Sequence, residues 1–308
     1  MNTIAVYDGF FAHLRPTILL LFMVLVGPLD PVPVVAQDPG SIVTDRPDQT
    51  ESAESVPAGF IQLELGWVFT REENGNETQE IHSLPETLLR VGMGHGLEVR
   101  LGFSGFVFEN QFATGESQQN TDTSETGDAE IGFKYELGGW SGGQVAFLGD
   151  ISIPMGQSDF SNQYVDPSFR LLVAHSLGER LSLGYNIGVE DIRTKMKAPY
   201  TIALGVSLSN RFGAFIESFG AFGLTESLGA SHSLDGGFTF LASDALQFDV
   251  NVGVGLNETA EDWFIGGGFA FRLPHKDQSP SLNRVPKSRL SRVTSRGEHE
   301  SKRSADLP

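Results

Sequence analysis

Apolar and polar side chains alternate along much of this chain. Ile61, Leu63, Leu65, Trp67 and Phe69 alternate with Gln62, Glu64 and Gly66, and Leu97, Val99, Leu101 and Phe103 with Glu98, Arg100 and Gly102. Ile131, Phe133, Tyr135 and Leu137 alternate with Gly132, Lys134 and Glu136, and Leu246, Phe248, Val250 and Val252 with Gln247, Asp249 and Asn251. Successive side chains of a strand point to opposite faces, so a period of two predicts strands with one apolar and one polar face. No helical period of comparable length stands in the body.

Twelve strands are predicted, at 59–70, 80–92, 97–108, 128–138, 143–154, 166–176, 180–190, 199–209, 211–221, 232–241, 245–255 and 262–273. Pro85 interrupts the second, and Pro belongs at sheet edges or bulges. In the ninth, Phe215 and Phe219 share a face with Glu217, so its two faces do not separate. The connections alternate in length. Those at 71–79, 109–127, 155–165, 191–198, 222–231 and 256–261 are longer and charged; those at 93–96, 139–142, 177–179, Asn210 and 242–244 are short turns. An even number of strands of about ten residues, joined by alternating long and short connections, predicts an all-β fold: an antiparallel transmembrane β-barrel with short periplasmic turns and longer extracellular loops. A soluble β-sandwich also alternates. Here, however, the polar face is rich in Gly, Ser, Glu and Arg, and the apolar face carries Trp67, Phe69, Tyr200 and Trp263 near strand ends, as the aromatic girdles of a barrel require.

The ends differ from the body. Arg15 precedes the apolar run at 17–27, which is shorter than the roughly 20 residues of a membrane-spanning helix, and small residues at 34–36 follow. Residues 1–36 are therefore expected to be a signal peptide cleaved before Gln37, and 37–57 a periplasmic N-terminal segment ahead of a barrel at 58–273. Residues 274–308 hold eight Lys/Arg against four acids, with little apolar content, and are expected to be a disordered basic tail.

Composition refines this picture. A mean hydropathy of −0.10 excludes a helical membrane protein but not a barrel, which turns every second residue away from lipid. With no Cys, disulfide frameworks, Cys-ligated metals and thiol catalysis are excluded. The net charge of −18 conceals a body of −21, from 12 Lys/Arg and 33 Asp/Glu over 37–273. That argues against nucleic-acid binding, which needs a basic face.

Parity places thirteen charged residues in the lumen: Glu64, Glu86, Arg90, Glu98, Arg100, Glu130, Lys134, Glu136, Asp150, Arg170, Asp235, Asp249 and Arg272. They are candidates for a polar constriction that selects solutes. Gly and Ser at other inward positions are expected to leave room for passage. No catalytic, cofactor or metal motif accompanies them. The pair His175-Ser176 lacks any supporting motif, and the acidic loops lack the spacing of a calcium loop. The expected partners are outer-membrane lipid and small-molecule solutes, with no cofactor and no nucleic acid.

Between the signal and the first strand stands Thr44-Asp45-Arg46-Pro47-Asp48-Gln49-Thr50-Glu51-Ser52, followed by Val56-Pro57-Ala58-Gly59-Phe60. This start, together with Leu88-Leu89-Arg90-Val91-Gly92, Gly127-Asp128-Ala129-Glu130-Ile131-Gly132-Phe133-Lys134-Tyr135 and the closing Gly266-Gly267-Gly268-Phe269-Ala270-Phe271, resembles the outer-membrane transporter family labelled for the MetA pathway of phenol degradation. The resemblance covers about 42–273. It implies an outer-membrane, channel-like protein tied by name to uptake of aromatic compounds. The chain departs from the usual barrel ending, because a basic tail follows Phe271. Asp45, Arg46, Pro47, Asp48 and Glu51 form the candidate N-terminal motif: its charges match a charged lumen, so 41–57 is expected to fold into or across the periplasmic mouth. The function expected is passive passage of small solutes, aromatic or hydrophobic compounds included, across the outer membrane of a Gram-negative-type bacterium. The alternative is a closed-lumen barrel with a structural or surface-interaction role.

Overall fold

The computed structural model describes residues 40–113, 121–156, 161, 164–225 and 229–274. The expected signal peptide and nearly all of the expected tail lie outside the described residues. The described residues form fourteen strands: β1 (Phe60–Asn74), β2 (Glu77–Gly94), β3 (Leu97–Phe103), β4 (Phe106–Ala113), β5 (Thr121–Thr126), β6 (Ala129–Trp140), β7 (Gly143–Ile153), β8 (Asp166–Ser176), β9 (Leu181–Val189), β10 (Lys197–Ser207), β11 (Phe212–Gly223), β12 (Ser231–Ser243), β13 (Leu246–Gly255) and β14 (Trp263–Pro274). All pairings are antiparallel, and β1 pairs with both β2 and β14, so the sheet closes on itself.

The wall is twelve strands around, because β3 with β4, and β5 with β6, are two halves of single barrel strands. β2 pairs with β3 along Thr87–Gly94 and with β4 along Glu77–Leu84. Pro85 stands at the interruption. Proline has no N–H to give the ladder, so the pairing breaks there and the break carries into its neighbours. The neighbours stitch it closed: Ser104 N–H donates to the Asp128 carbonyl at 2.9 Å, and Gly127 N–H to the Gly105 carbonyl at 2.8 Å.

Two expected connections are largely strand. β1 and β2 continue through 71–79 to a tight turn at Gly75 (φ 63°), and β4 and β5 occupy much of 109–127 as a hairpin. These stretches stand beyond the aromatic girdle described next. There the outward face no longer meets lipid, the apolar half of the alternation disappears, and the pattern read from apolar positions ends with it.

Outward side chains such as Leu101, Phe133, Ile151, Ile202, Phe238 and Val252 are exposed, as a lipid-facing wall requires. One girdle is aromatic at the long-loop end: Phe69 packs on Trp263 (5.2 Å between ring centroids) and on His82 (4.8 Å), and Tyr200 bonds His232 at 2.8 Å. At the short-turn end Trp140, His175 and Tyr185 form another, with His175 Nε2 3.1 Å from the Tyr185 hydroxyl. His175 thus belongs to the girdle at the short-turn end, with its ring nitrogen engaged by Tyr185.

Candidate functional site

Residues 40–58 run through the lumen and meet side chains from β1, β2, β3, β6, β7, β8, β9, β10, β11, β13 and β14. The segment is too polar and too interrupted by proline to pair as a strand, so its backbone groups need other partners. Inward side chains supply them. The carbonyls of Gly40, Val43, Pro47, Glu51 and Glu54 accept from Arg272 (2.6 Å), Gln62 (2.8 Å), Asn251 (3.3 Å), Asn186 (3.1 Å) and Arg90 (3.0 Å). The amides of Asp45, Gln49, Ser55 and Val56 donate to the carboxylates of Glu64 (3.1 Å), Glu217 (2.7 Å), Glu136 (2.7 Å) and Glu98 (2.8 Å). Ile42, Ala53 and Val56 are buried. Ala53 sits on a lumen-facing aliphatic patch of Ala146, Leu148 and Leu172, which interrupts the polar lining on β7 and β8.

Glycines make room for this plug. A Cβ on Gly66 or Gly268 would overlap the Arg46 guanidinium, one on Gly92 the Val56 and Pro57 carbonyls, and one on Gly184 the Thr50 methyl. The room that inward glycines were expected to leave for passage is, at these four positions, filled by the plug.

Charge is segregated around the wall. On β2, β3 and β6, Arg90, Arg100 and Lys134 converge on the Asp45 carboxylate at 3.1, 2.6 and 2.8 Å. Ser52 closes the cluster, donating to Asp45 from its amide (2.9 Å) and hydroxyl (2.6 Å). Arg90 also holds Glu64 at 3.0 Å and Glu98 at 2.9 Å, and Arg100 holds Glu51 at 2.9 Å. Three cations thus face Glu64, Glu98 and Asp45, and Glu51 is a surplus negative charge. Burial and the Asp45 carboxylate raise the Glu51 carboxyl to about 7, with Arg100 opposing them. Burial also raises Asp45, but Arg90, Lys134 and Arg100 outweigh it and hold that carboxyl well below the ordinary range. On β11, β12 and β13 the sign reverses. Glu217 faces Asp235 directly across the strand pair, and Arg46 reaches Asp249 at 3.2 Å and Glu86 at 3.6 Å. Thr50 Oγ1 lies 2.5 Å from Glu217 Oε1. Asp48, in the plug, is raised well above the ordinary carboxylate range by burial and by the nearby Glu217.

The structure therefore brings Glu64, Glu86, Arg90, Glu98, Arg100, Lys134, Glu136, Asp249 and Arg272 onto the plug. Asp235 reaches it through Asn251, which lies 3.2 Å from Asp235. Arg170 instead pairs with Glu190 at 3.0 Å above the plug, and Glu130 and Asp150 line the wall without a bond to it among the described residues. Parity reasoning missed Glu217, because β11 carries Phe215, Glu217 and Phe219 inward together. It also left out the uncharged partners Gln62, Asn186, Thr201 and Asn251, although each sits at an inward position of a strand.

A cavity of about 810 Å³ lies on the long-loop side, floored by Asp45–Gln49 and Glu51 of the plug. Another of about 470 Å³, at the short-turn end, is lined by Arg180, Ser207, Arg211 and Gln247, the last bonded to Thr44 at 2.7 Å.

A family model described as "Putative MetA-pathway of phenol degradation" matches residues 44–273, which takes in both the plug and the barrel. The chain belongs to this family. No curated protein sequence matches it. Among solved structures, this MetA-pathway barrel shares its fold with the COG4313 outer membrane channel from Pseudomonas putida F1: TM-score 0.54 at 10% identity, over 72% of this chain and 98% of that one. The KdgM porin (TM-score 0.46, 10% identity, 68% and 98% covered) and the CymD monoaromatic hydrocarbon channel (0.40, 9%, 71% and 90%) are also similar. The MetA-pathway chain thus has the fold of an outer-membrane β-barrel.

Proposed function

We propose that this protein is a gated outer-membrane channel for small solutes, and that residues 40–57 are the gate. The observation that carries this reading is the plug itself. It closes the lumen between two cavities, yet it is held by side chains rather than by strand pairing, so it can leave without opening the barrel wall. Entry of aromatic or hydrophobic compounds is supported by the inward Val68, Ile81, Val107, Phe219 and Phe264 around the larger cavity. Residues 1–36 deliver the chain to the envelope.

Deleting 41–52 should raise single-channel conductance in planar bilayers and admit small solutes to liposomes. A deletion variant that inserts normally but stays as closed as the parent would support a structural barrel instead.

A further inference from the structure

The tip of the plug is held by a chain of hydrogen bonds that would be one hydrogen short if Glu217 were ionised. Thr50 Oγ1 lies 2.5 Å from Glu217 Oε1 and 2.7 Å from Thr201 Oγ1, and Thr201 Oγ1 lies 2.9 Å from Asn186 Oδ1. Each distance is that of a direct O–H···O bond, so each contact needs its own hydrogen. The two hydroxyls supply two. Asn186 supplies none to the chain: its Nδ2 donates to the Glu51 carbonyl at 3.1 Å, which only accepts, and so its Oδ1 is what faces Thr201. Thr201 therefore donates to Asn186, and Thr50 donates to Thr201. The hydrogen between Thr50 and Glu217 has to come from Glu217. Its other oxygen, Oε2, accepts from the Gln49 amide at 2.7 Å, which leaves Oε1 to carry the proton.

The surroundings of Glu217 favour that neutral form. Asp48 faces it from the plug, and Asp235 stands directly opposite on β12, where two like charges repel. From β10 it meets the uncharged Thr201 and, in register, Ala203; from β13, the uncharged Asn251 holds Asp235. No cation pairs with Glu217 among the described residues, and Arg46 of the plug is committed to Asp249 and Glu86. Glu217 itself is buried. We propose that Glu217 positions the tip of the plug, and that it does so as a carboxylic acid donating its proton to Thr50. Once ionised, Glu217 takes the only hydroxyl hydrogen of Thr50, a contact further along the chain is left without one, and the new charge faces Asp48 and Asp235. Docking thus takes up a proton at Glu217: the hold is complete at acid pH and is lost as pH rises. The proposal deepens the gate reading by naming what regulates the plug, and it rests on that reading only for the link between docking and conductance.

The test uses the full-length protein in lipid, with protease protection of residues 40–57 as the measure of docking and planar-bilayer conductance beside it. Asp48 and Glu51 titrate in the same segment, so all proteins compared carry Asp48→Asn and Glu51→Gln. In that background the docked-to-withdrawn ratio should fall by up to about tenfold per pH unit on the alkaline side. Glu217→Gln offers Thr50 an amide hydrogen at every pH, so its plug should stay docked and the fall should vanish. Thr201→Val removes one contact from the chain and frees Thr50 to donate to an ionised Glu217, so the fall should vanish there too, with the carboxyl still present. Infrared difference spectra at acid pH should show a protonated-carboxyl band that is missing from Glu217→Gln. Docking indifferent to pH in the background protein, a Glu217→Gln plug that withdraws from an intact barrel, or a Thr201→Val plug that keeps the full fall would each overturn the proposal. If Glu217→Gln forms no barrel by unheated gel migration, Thr201→Val decides. Protection that responds as expected while conductance stays constant refutes only the gate. A channel that opens on deletion of 41–52, with protection indifferent to pH, refutes only the role of Glu217.

Discussion

Asp45→Ala is the sharpest perturbation of the plug, because three wall cations depend on one carboxylate. Their dependence is unequal. Arg90 keeps Glu64 and Glu98, and Arg100 keeps Glu51 at 2.9 Å with Glu98 at 3.5 Å. Lys134, fully buried, is left among the described residues with Glu51 at 3.7 Å as its anion and the Ser52 hydroxyl at 3.3 Å. Removing one partner of a buried ion pair costs about 3–5 kcal/mol, since the other charge stays desolvated and uncompensated. Part of that cost vanishes if the plug withdraws and water reaches Lys134. The docked-to-withdrawn ratio should therefore fall by roughly a hundredfold to a few thousandfold, at 1.4 kcal/mol per decade. Open probability in planar bilayers reads this directly, and unheated gel migration checks that the barrel is intact. Asp45→Ala combined with Lys134→Met should restore most of the closed state, because the orphaned charge is gone; a double-mutant cycle isolates that coupling. An Asp45→Ala channel as closed as the parent, or a double variant no more closed than Asp45→Ala alone, would refute the electrostatic account of docking.

Four further outcomes are expected. Gly92→Ala should free the C-terminal end of the plug, since the added Cβ meets the Val56 and Pro57 carbonyls, which are backbone and cannot turn aside; protease sensitivity of the segment should rise while the barrel stays folded. Ala53→Leu overfills the patch of Ala146, Leu148 and Leu172 and should weaken docking by about 1–3 kcal/mol, read as more frequent opening. Ile202→Arg faces lipid in mid-strand and should destabilise the barrel by about 2–4 kcal/mol in lipid unfolding titrations while leaving open probability unchanged. Glu51 has an ordinary value of 4.5 and stands at about 7 when docked, so docking takes up a proton: this contribution is complete below the ordinary value and is lost as pH rises through 7. Opening should therefore increase above pH 7, and Glu51→Gln should flatten that rise.

The barrel was legible because lipid enforces a rule on every strand: outward residues must be apolar, and the period of two then sorts the rest inward. Where lipid ends, at 71–79 and 109–127, the rule ends, and the pattern predicts loops where the chain forms strands. The same rule sorted Arg90, Arg100, Lys134, Glu64 and Glu98 into the lumen but could not pair them, since pairing across a barrel depends on register and on what fills the centre. The plug's charges were visible and their match to a charged lumen was readable. Its anchors were less so: Ala53 is a small residue in a polar run, and its patch on β7 and β8 shows only as strands apolar on both faces, in QVAFL and RLLVA. Glu217 escaped for a related reason, because aromatic neighbours share its inward face.

The order of charges in the plug carries its own constraint. Asp45 and Arg46 are adjacent, yet Asp45 meets the basic sector of β2, β3 and β6, while Arg46 lies over Gly66 and Gly268 towards Asp249 on β13. Exchanging the two would set Arg against Arg90, Arg100 and Lys134, and Asp against Asp249. The composition would be unchanged and the net charge identical, but every one of those ion pairs would become a repulsion. What the wall recognises is therefore the sequence of signs along the segment rather than its charge, and the segregation of basic and acidic strands around the barrel is what makes that order readable.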